Sequence, residues 1–374
     1  MPVILIGPVC DDPAESVSAV NRAFVDGLQD RFTFVYSACN RRYGGTRQSQ
    51  INLWNLYYLL MHVFIWYKNL LQYRPDAAHY AINSGFAMEK GFLLLGLARL
   101  RGARTVGHLH GGGFIEDWQQ LSPRRRRFAS GQLAKLDAFI VLSEKWGDLI
   151  EEKVGIAREK LHVINNPISA SFEDAALAMA IDRQGNRLLS LGTMGRDKGV
   201  LELVAACAVV TQETRDFSLD LVGSEREPGI RDQVSRQLME LDLTAQVRLQ
   251  ANVYGTAKLD LFREASIFVL PSYYENFPLV VLEAAAAGHA IITTRVGAVP
   301  EFFEDGVSAI FVDAGNAVQL AEAITRLIRN PGERLCLAAG AREAFRRRLS
   351  RVDILESLRV VYENVTVLER SVCL

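Results

Sequence analysis

Short apolar runs alternate with longer helical patterns along almost the whole of this 374-residue chain. "PVILIG" opens the series, and "FTFVYSA", "AHYAIN", "TVGHLH", "AFIVLS" and "LHVIN" continue it. Runs of this length, separated by helix-length segments, predict βαβ units and a parallel sheet. The rhythm breaks near Asn165-Asn166-Pro167, where "PISASFEDAALAMAIDRQGN" reads as a connector over residues 166–186. It restarts with "RLLSLGT", "FSLDLVGS", "QVRLQANV", "IFVLPS", "AIITTR" and "SAIFVD". The expected α/β architecture is therefore two doubly wound domains, residues 1–166 and 167–350, each large enough for its own core. A last helix, about Val352 to Leu368 within residues 351–374, has no strand after it and must dock on something already built, toward the first domain. Ligands of such sheets bind beyond the carboxyl ends of strands, so each candidate motif should lie just after a strand.

With 49% hydrophobic and 23% charged residues and a formal net charge of −1, the chain as a whole is globular and has no character of a nucleic-acid binder or a disordered tail. Between Arg41 and Leu136, however, fourteen Lys/Arg stand against four Asp/Glu. One face of the first domain should attract anions. The five cysteines form no CxxC or Cys/His cluster, so thiols in a reducing compartment are expected, with no metal site. "MPVILIGP" lacks a basic leader and becomes a strand at once, which predicts a cytoplasmic protein.

Three strand-end segments carry chemistry. In "SYYENFPLVVLEAAAAGHAIITT", Pro278 suits a first helical position and Gly288 a helix end. Glu275 then lies in the loop and Glu283 more than a turn inside the helix. The N–H groups of Phe277, Leu279 and Val280 offer an anion-binding terminus. An anion there would leave Glu275 beside one half of a ligand and Glu283 beside the other, and a carboxylate accepting from vicinal hydroxyls holds a sugar or ribose. The bland alternative is a solvated loop acid and a surface acid. In "LGTMGRDKGV", Arg196 and Lys198 project from a Gly-flanked turn and suit a diphosphate, with a plain basic surface turn as the alternative. In "GHLHGGGF", His110 ends a strand before three glycines that allow close backbone approach, and His108 is expected on the other face.

These segments, with "VLS" at 141–143, "VINNPI" at 163–168, "LVGS" at 221–224 and "VGAVPEFFEDGVSAIFV" at 296–312, resemble in order the family-4 retaining glycosyltransferases with their EX7E motif. The resemblance covers nearly the whole chain. It implies the GT-B fold, two Rossmann-like domains facing a central cleft, with acceptor bound by the first and nucleotide sugar by the second. It implies that Glu275 and His110 attend the transferred sugar and that Glu283 holds the ribose. Lys198 matches the lysine of the donor-diphosphate segment, to which Thr193, Phe277 and Leu279 also belong. Thr193 stands where relatives often carry arginine, and that role passes to Arg196. Only Gly7 remains of the glycine pair relatives often have after the first strand, with Asp11, Asp12 and Ser16 around it. Ala309 likewise replaces a common glycine.

"INLWNLYYLLMHVFIWYKNLL" (Ile51–Leu71) is almost long enough to span a bilayer, but Asn52, Asn55, His62 and Asn69 share one helical stripe, widened by Lys68 and Gln72. A helix partly packed on the sheet is expected. Its aromatics Trp54, Tyr57, Tyr58, Trp66 and Tyr67 exceed what a core needs and suit a membrane interface. In "SPRRRRFASGQL", Ser122 caps, Pro123 starts a helix, and Arg124, Arg125, Arg126 and Arg127 crowd a first turn that repels cations. An external anion (lipid headgroups or a lipid-linked diphosphate) and a merely solvated face both remain open. The expectation is thus a metal-independent, cofactor-free hexosyltransferase of class EC 2.4, peripheral at the inner face of the cytoplasmic membrane. It would move a sugar from a UDP- or GDP-sugar to a lipid-linked saccharide in polysaccharide or lipopolysaccharide assembly. The alternatives are a soluble acceptor or a non-catalytic partner subunit of the same fold.

Overall fold

The structure is a computed structural model that describes residues 1–10, 16–38, 53–183 and 185–367. Asp11, Asp12, Ile51, Asn52, the arginines at 41–47 and Leu368 lie outside the described residues, as do the side chains of Ser16, Trp54 and Asn55. The chain divides into two compact units. One holds Met1–Pro167 and Arg351–Leu374, the other Ile168–Ser350.

In the first unit the strands are β1 (Val3–Val9), β2 (Thr33–Ala38), β3 (Ala77–Ile82), β4 (Arg104–Leu109), β5 (Ala138–Val141) and β6 (Leu161–Val163). Between them run α1 (Ser16–Leu28), α2 (Leu53–Tyr73), α3 (Phe86–Leu100), α4 (Phe114–Gln120), α5 (Pro123–Leu133) and α6 (Glu144–Val154). The second unit has β7 (Arg187–Leu191), β8 (Ser218–Val222), β9 (Val247–Gln250), β10 (Ile267–Leu270), β11 (Ala290–Thr294) and β12 (Ile310–Val312). Its helices are α7 (Ala170–Leu177), α8 (Val200–Val210), α9 (Ile230–Glu240), α10 (Gly255–Glu264), α11 (Leu279–Ala287), α12 (Val299–Phe302), α13 (Ala317–Arg329) and α14 (Pro331–Arg348). The expected connector is no bare linker, since α7 forms within it and packs on α10 and α11. Its Phe172 meets Phe262 edge-on, which gives the segment an apolar side to bury.

Both sheets are six-stranded, in the orders β2-β1-β3-β4-β5-β6 and β12-β11-β10-β7-β8-β9, with every pairing parallel. Strands such as β3, β5 and β10 are buried at every position, as helices on both faces of a parallel sheet require. The order of growth reverses between β1 and β3 in one sheet and between β7 and β10 in the other. These are the switch points beyond whose carboxyl ends a doubly wound sheet offers its crevice.

The final helix, α15 (Arg351–Val367), belongs to the first unit and packs on α1 and β3. Gly27 makes that approach possible, because a Cβ there would lie 2.2 Å from Leu355 Cδ1. Tyr362 is fully buried, edge-on to Phe32 at 5.3 Å, with its hydroxyl 2.6 Å from His79 Nδ1. His79 Nε2 in turn lies 3.3 Å from His108 Nδ1, and the His108 ring centroid is 4.0 Å from that of His110. His108 and His110 therefore share a face of β4 and its extension. This corrects the expectation that they diverge: residues two apart on a strand point the same way.

Burial lowers His79 and His110 to about 3, and it holds His108 well below an ordinary histidine. The imidazoles are neutral when folded but protonate in an unfolded chain below about pH 6.5. Their contribution to stability is present above that pH and is lost as pH falls toward 3, at up to about 1.4 kcal/mol per pH unit for each ring. Unfolding free energy measured at pH 6.5, 5.5 and 4.5 should fall steeply, and His79→Gln should make that slope shallower.

Candidate active site

The site can be built from the switch point between β7 and β10. After β7 the chain turns through Gly192–Gly195 into a single 3-10 turn, Arg196–Lys198, and Gly199 leads into α8. Gly199 has φ +66°, and a Cβ there would lie 2.2 Å from the carbonyl oxygen of Pro271, just beyond β10. Only glycine meets both conditions. Tyr273 N–H donates to the Asp197 carbonyl at 2.8 Å, and the Tyr273 hydroxyl donates to Glu202 at 2.8 Å, so the two loops are stitched together. As a result Lys198 Nζ meets Glu275 Oε1 at 2.6 Å, with both side chains mostly buried. Ser272 Oγ donates to the same carboxylate oxygen at 3.4 Å, and Lys198 Nζ reaches the Tyr274 carbonyl at 3.4 Å.

Phe277 is buried and stacks on Phe302 at 5.0 Å, which fixes the approach to α11. Pro278 stands at the N-cap, one residue before the expected first helical position, with φ −71° and ψ 120°. Its carbonyl accepts from Val281 N–H at 3.0 Å. The first helical N–H groups, of Leu279 and Val280, precede any intrahelical acceptor. Apolar on all sides but that of Glu283, α11 is a buried helix packed on α7 and α14. Its C-terminus is held by two cations. Arg342 donates to the carbonyls of Ala286 at 3.1 Å and Ala287 at 2.7 Å, and Arg183 to those of Ala287 at 2.6 Å and Gly288 at 2.9 Å. Burial, with Arg342 nearby, lowers Arg183 to about 10.

Glu283 is 7% exposed. Its Oε1 accepts from Lys258 Nζ of α10 at 2.5 Å, whereas its Oε2 is buried with no hydrogen-bond partner among the described residues. Lys258 was not anticipated, for "TAKLDLF" carries no motif that marks it. Arg196 is not with Lys198. Its guanidinium contacts Glu227 at 3.1 Å and Gln233 at 2.6 Å, largely in solvent. Thr193 is half-buried in the same turn. Arg226, which the sequence did not single out, pairs with Asp197 at 2.9 Å.

In the first unit, His110 follows β4 and its N–H donates to the Ile82 carbonyl at 2.9 Å. Gly111 brings this loop against the end of β3, since a Cβ would meet Ser84 Oγ at 2.4 Å. His110 Nε2 is shielded and has no hydrogen-bond partner among the described residues. On α5, Ser122 occupies the N-cap but its side chain makes no capping bond. Arg125 pairs with Glu89, and Arg126 donates to the Gln119 carbonyl at 2.6 Å. Among the described residues Arg124 and Arg127 have no charged partner. Part of the polar stripe of α2 faces inward, while Lys68 and Gln72 are exposed. His62 is buried 3.2 Å from Ser37 Oγ, and Asn69 donates to the Tyr36 carbonyl at 3.0 Å. Trp66 is fully buried, while Leu56, Tyr57, Leu60, Phe64, Tyr67 and Leu71 are exposed. Among the described residues no helix is long and apolar enough to cross a membrane, and no group of three or more His, Cys, Asp or Glu is disposed to hold a metal.

Residues 23–172 match Glycosyltransferase Family 4, and residues 175–344 match Glycosyl transferases group 1. Together the two matches span most of the chain and support a family-4/GT-B glycosyltransferase. It is 27% identical over 293 residues to a D-inositol 3-phosphate glycosyltransferase of Nocardiopsis dassonvillei, a match covering 73% of this chain and 67% of that protein. It is 27% identical over 313 residues to an alpha-maltose-1-phosphate synthase of Mycolicibacterium smegmatis, covering 76% of this chain and 77% of that one. The crystal structure of Anabaena HepE in complex with UDP aligns with a TM-score of 0.70 over 97% of this chain and 100% of that chain, at 16% identity. That likeness carries the GT-B fold of two parallel sheets and nothing finer.

Gly199→Ala tests the local geometry. Positive φ and the clash with Pro271 should together destabilise the second unit by roughly 1–3 kcal/mol. Thermal or denaturant melts would read that loss, and donor-dependent activity should fall with it as Lys198 leaves Glu275.

Proposed function

We propose that this glycosyltransferase moves a sugar, with retention and without a metal, from a UDP- or GDP-sugar held by the second unit. The observation that carries this reading is the Lys198–Glu275 pair at the β7/β10 switch point, beside the N-terminus of α11. In the proposed reaction the bond between the anomeric carbon and the β-phosphate oxygen breaks. The acceptor oxygen bonds to that carbon on the same face, and its proton passes to the departing phosphate oxygen. Lys198 exchanges Glu275 for the phosphate and stabilises the charge that develops on it. Glu275 then orients the sugar and does not attack it. The start of α11 adds N–H donors to the diphosphate. Glu283 accepts from the ribose, and a neutral His110 meets a hydroxyl of the transferred sugar.

For the acceptor, the names of the relatives favour a soluble one: D-inositol 3-phosphate in one case, and a maltose phosphate product in the other. A lipid-linked acceptor is the second reading. The exposed apolar row on α2 and the unpaired Arg124 and Arg127 on α5 support it, as α3 packs against both helices. On that reading the protein is peripheral at the inner face of the cytoplasmic membrane.

UDP- and GDP-sugars should be assayed with D-inositol 3-phosphate, other sugar phosphates and lipid-linked saccharides, with and without EDTA. Transfer to a water-soluble acceptor that survives EDTA is expected. Transfer to lipid-linked acceptors alone would install the second reading, and dependence on added Mg²⁺ or Mn²⁺ would remove the metal-free one. Lys198→Ala should lower kcat/KM by roughly 100- to 1,000-fold, the range for losing a preorganised partner of developing charge.

Vesicles test the second reading. Each basic residue near an anionic surface contributes about 1 kcal/mol, screened by salt. If the protein docks on membrane, it should co-sediment with anionic vesicles at low salt and leave them at high salt. The double change Arg124→Ser and Arg127→Ser should then weaken binding more than Arg125→Ser, whose native side chain is already paired with Glu89. Equal binding to neutral vesicles would remove the electrostatic argument.

A further inference from the structure

The pairing of Lys258 with Glu283 has no counterpart in the motifs that mark this site. Lys258 lies on α10 and Glu283 on α11, twenty-five residues apart in sequence. Both side chains are largely shielded, at 20% and 10% exposure, with Nζ 2.5 Å from Oε1. Beneath the ammonium group lies Phe172 of α7, with Nζ 5.2 Å from the ring centroid. The second carboxylate oxygen, Oε2, is buried and accepts from no group among the described residues. A buried carboxylate that is only half satisfied is costly unless something donates to its free oxygen. A bare carboxylate can also turn about its terminal torsion, which is broad and roughly two-fold. An ammonium fixed on one oxygen stops that rotation and aims the other.

We infer that Lys258 is a positioning residue for nucleotide recognition: by pinning Oε1 of Glu283 from the Phe172 floor, it presents Oε2 as an oriented acceptor for the ribose hydroxyls of the donor. This rests on the proposed role of Glu283 and goes beyond it. The chemistry follows from the inventory of groups. Ribose offers vicinal O–H donors, a carboxylate is an acceptor only, and an ammonium is a donor only. Lys258 therefore does not compete with the ribose for the carboxylate's free lone pairs. It also cancels the Glu283 charge, which would otherwise repel an incoming diphosphate. Phe172 contributes twice, holding the ammonium over its face and excluding water from its approach.

Lys258→Met tests this, because it keeps the apolar stem over Phe172 and removes only the charge and the donors. Binding of UDP and GDP, and of their 2′-deoxy counterparts, is measured by titration calorimetry on the full chain. The wild type should prefer the ribonucleotide it binds by about 10-fold, the worth of a hydrogen bond to a charged group. In Lys258→Met that preference should largely vanish, and donor KM should rise more than kcat falls. Lys258→Arg, which restores the charge, should recover much of both. In a Glu283→Gln background, Lys258→Met should add little further loss, whereas a purely structural lysine would act additively.

The outcomes separate the two ideas. Loss of the preference in Glu283→Gln but its retention in Lys258→Met overturns the role of Lys258 and leaves Glu283 on the ribose. Retention of the preference in Glu283→Gln overturns the reading of Glu283 and the inference with it, as does failure of the wild type to bind either nucleotide. Should Lys258→Met melt far below the wild type, Lys258→Gln supplies the same comparison with a neutral side chain that can still donate to Oε1. Retention of the preference there would support the orienting role and remove the need for a charge, whereas its loss would overturn the idea that a hydrogen bond to Oε1 is enough to orient Oε2.

Discussion

A Cβ on residue 199 would fall 2.2 Å from the Pro271 carbonyl oxygen, and much of the candidate site in the second unit depends on that space being empty. With glycine there, the turn after β7 closes onto the loop after β10, and the backbone bond from Tyr273 to Asp197 holds it. Lys198 and Glu275, seventy-seven residues apart, can then sit 2.6 Å from each other in a poorly solvated place. Pairs of this kind lose little entropy on forming when both backbones are already fixed, and they interact more strongly than surface pairs because water is scarce. Pairing keeps the lysine oriented toward the position where a phosphate would replace the carboxylate.

The same reasoning explains the asymmetry of α11. Its last carbonyls are covered by Arg342 and Arg183, and its C-cap Gly288 has φ +69° with no room for a Cβ beside the Arg342 guanidinium. Cations at a helix C-terminus are favourable and satisfy acceptors that have no intrahelical donor. The N-terminus is furnished differently. It has a proline N-cap and a packed Phe277, with no side-chain cap, so its donors are left to whatever binds there. The run of alanines makes this possible by letting α7 and α14 come close enough to bury the helix and bring those arginines to its end.

Much of this was legible in the sequence, because the features that are local in the chain are also local in space. All twelve apolar runs became strands, and Glu275, Glu283 and Lys198 lie where strand ends and a helix start put them. What was missed depends on contacts far apart in the chain. Lys258 meets Glu283 only because α10 lies beside α11, and nothing in "TAKLDLF" announces it. Arg196 sits one residue from Asp197, yet the fold gives its guanidinium to Glu227 and Gln233. On α2 the sequence marks a polar stripe but not the way it turns: His62 and Asn69 serve Ser37 and the Tyr36 carbonyl, whereas Lys68 and Gln72 stay exposed with the apolar row. Periodicity identifies the faces of a helix but not which of them turns inward when the sheet edge has polar groups of its own to satisfy.

The two units differ in the buried charge they carry, and this bears on which of them can hold a charged donor. Around α10, α11 and the turn after β7 lie two shielded ion pairs, Lys198 with Glu275 and Lys258 with Glu283, alongside the neutral and fully buried His289. Such a site can exchange one anion for another, because its cations persist when a carboxylate gives way to a phosphate. In the first unit, buried polarity around β3 and β4 is neutral. The chain Tyr362–His79–His108 ends beside His110, and burial keeps these rings uncharged at neutral pH. A neutral imidazole cannot balance a diphosphate, but its unpartnered nitrogen can either donate to or accept from a sugar hydroxyl, according to tautomer. In the proposed reaction the diphosphate therefore belongs with Lys198 of the second unit, and a neutral histidine is suited to an uncharged hydroxyl.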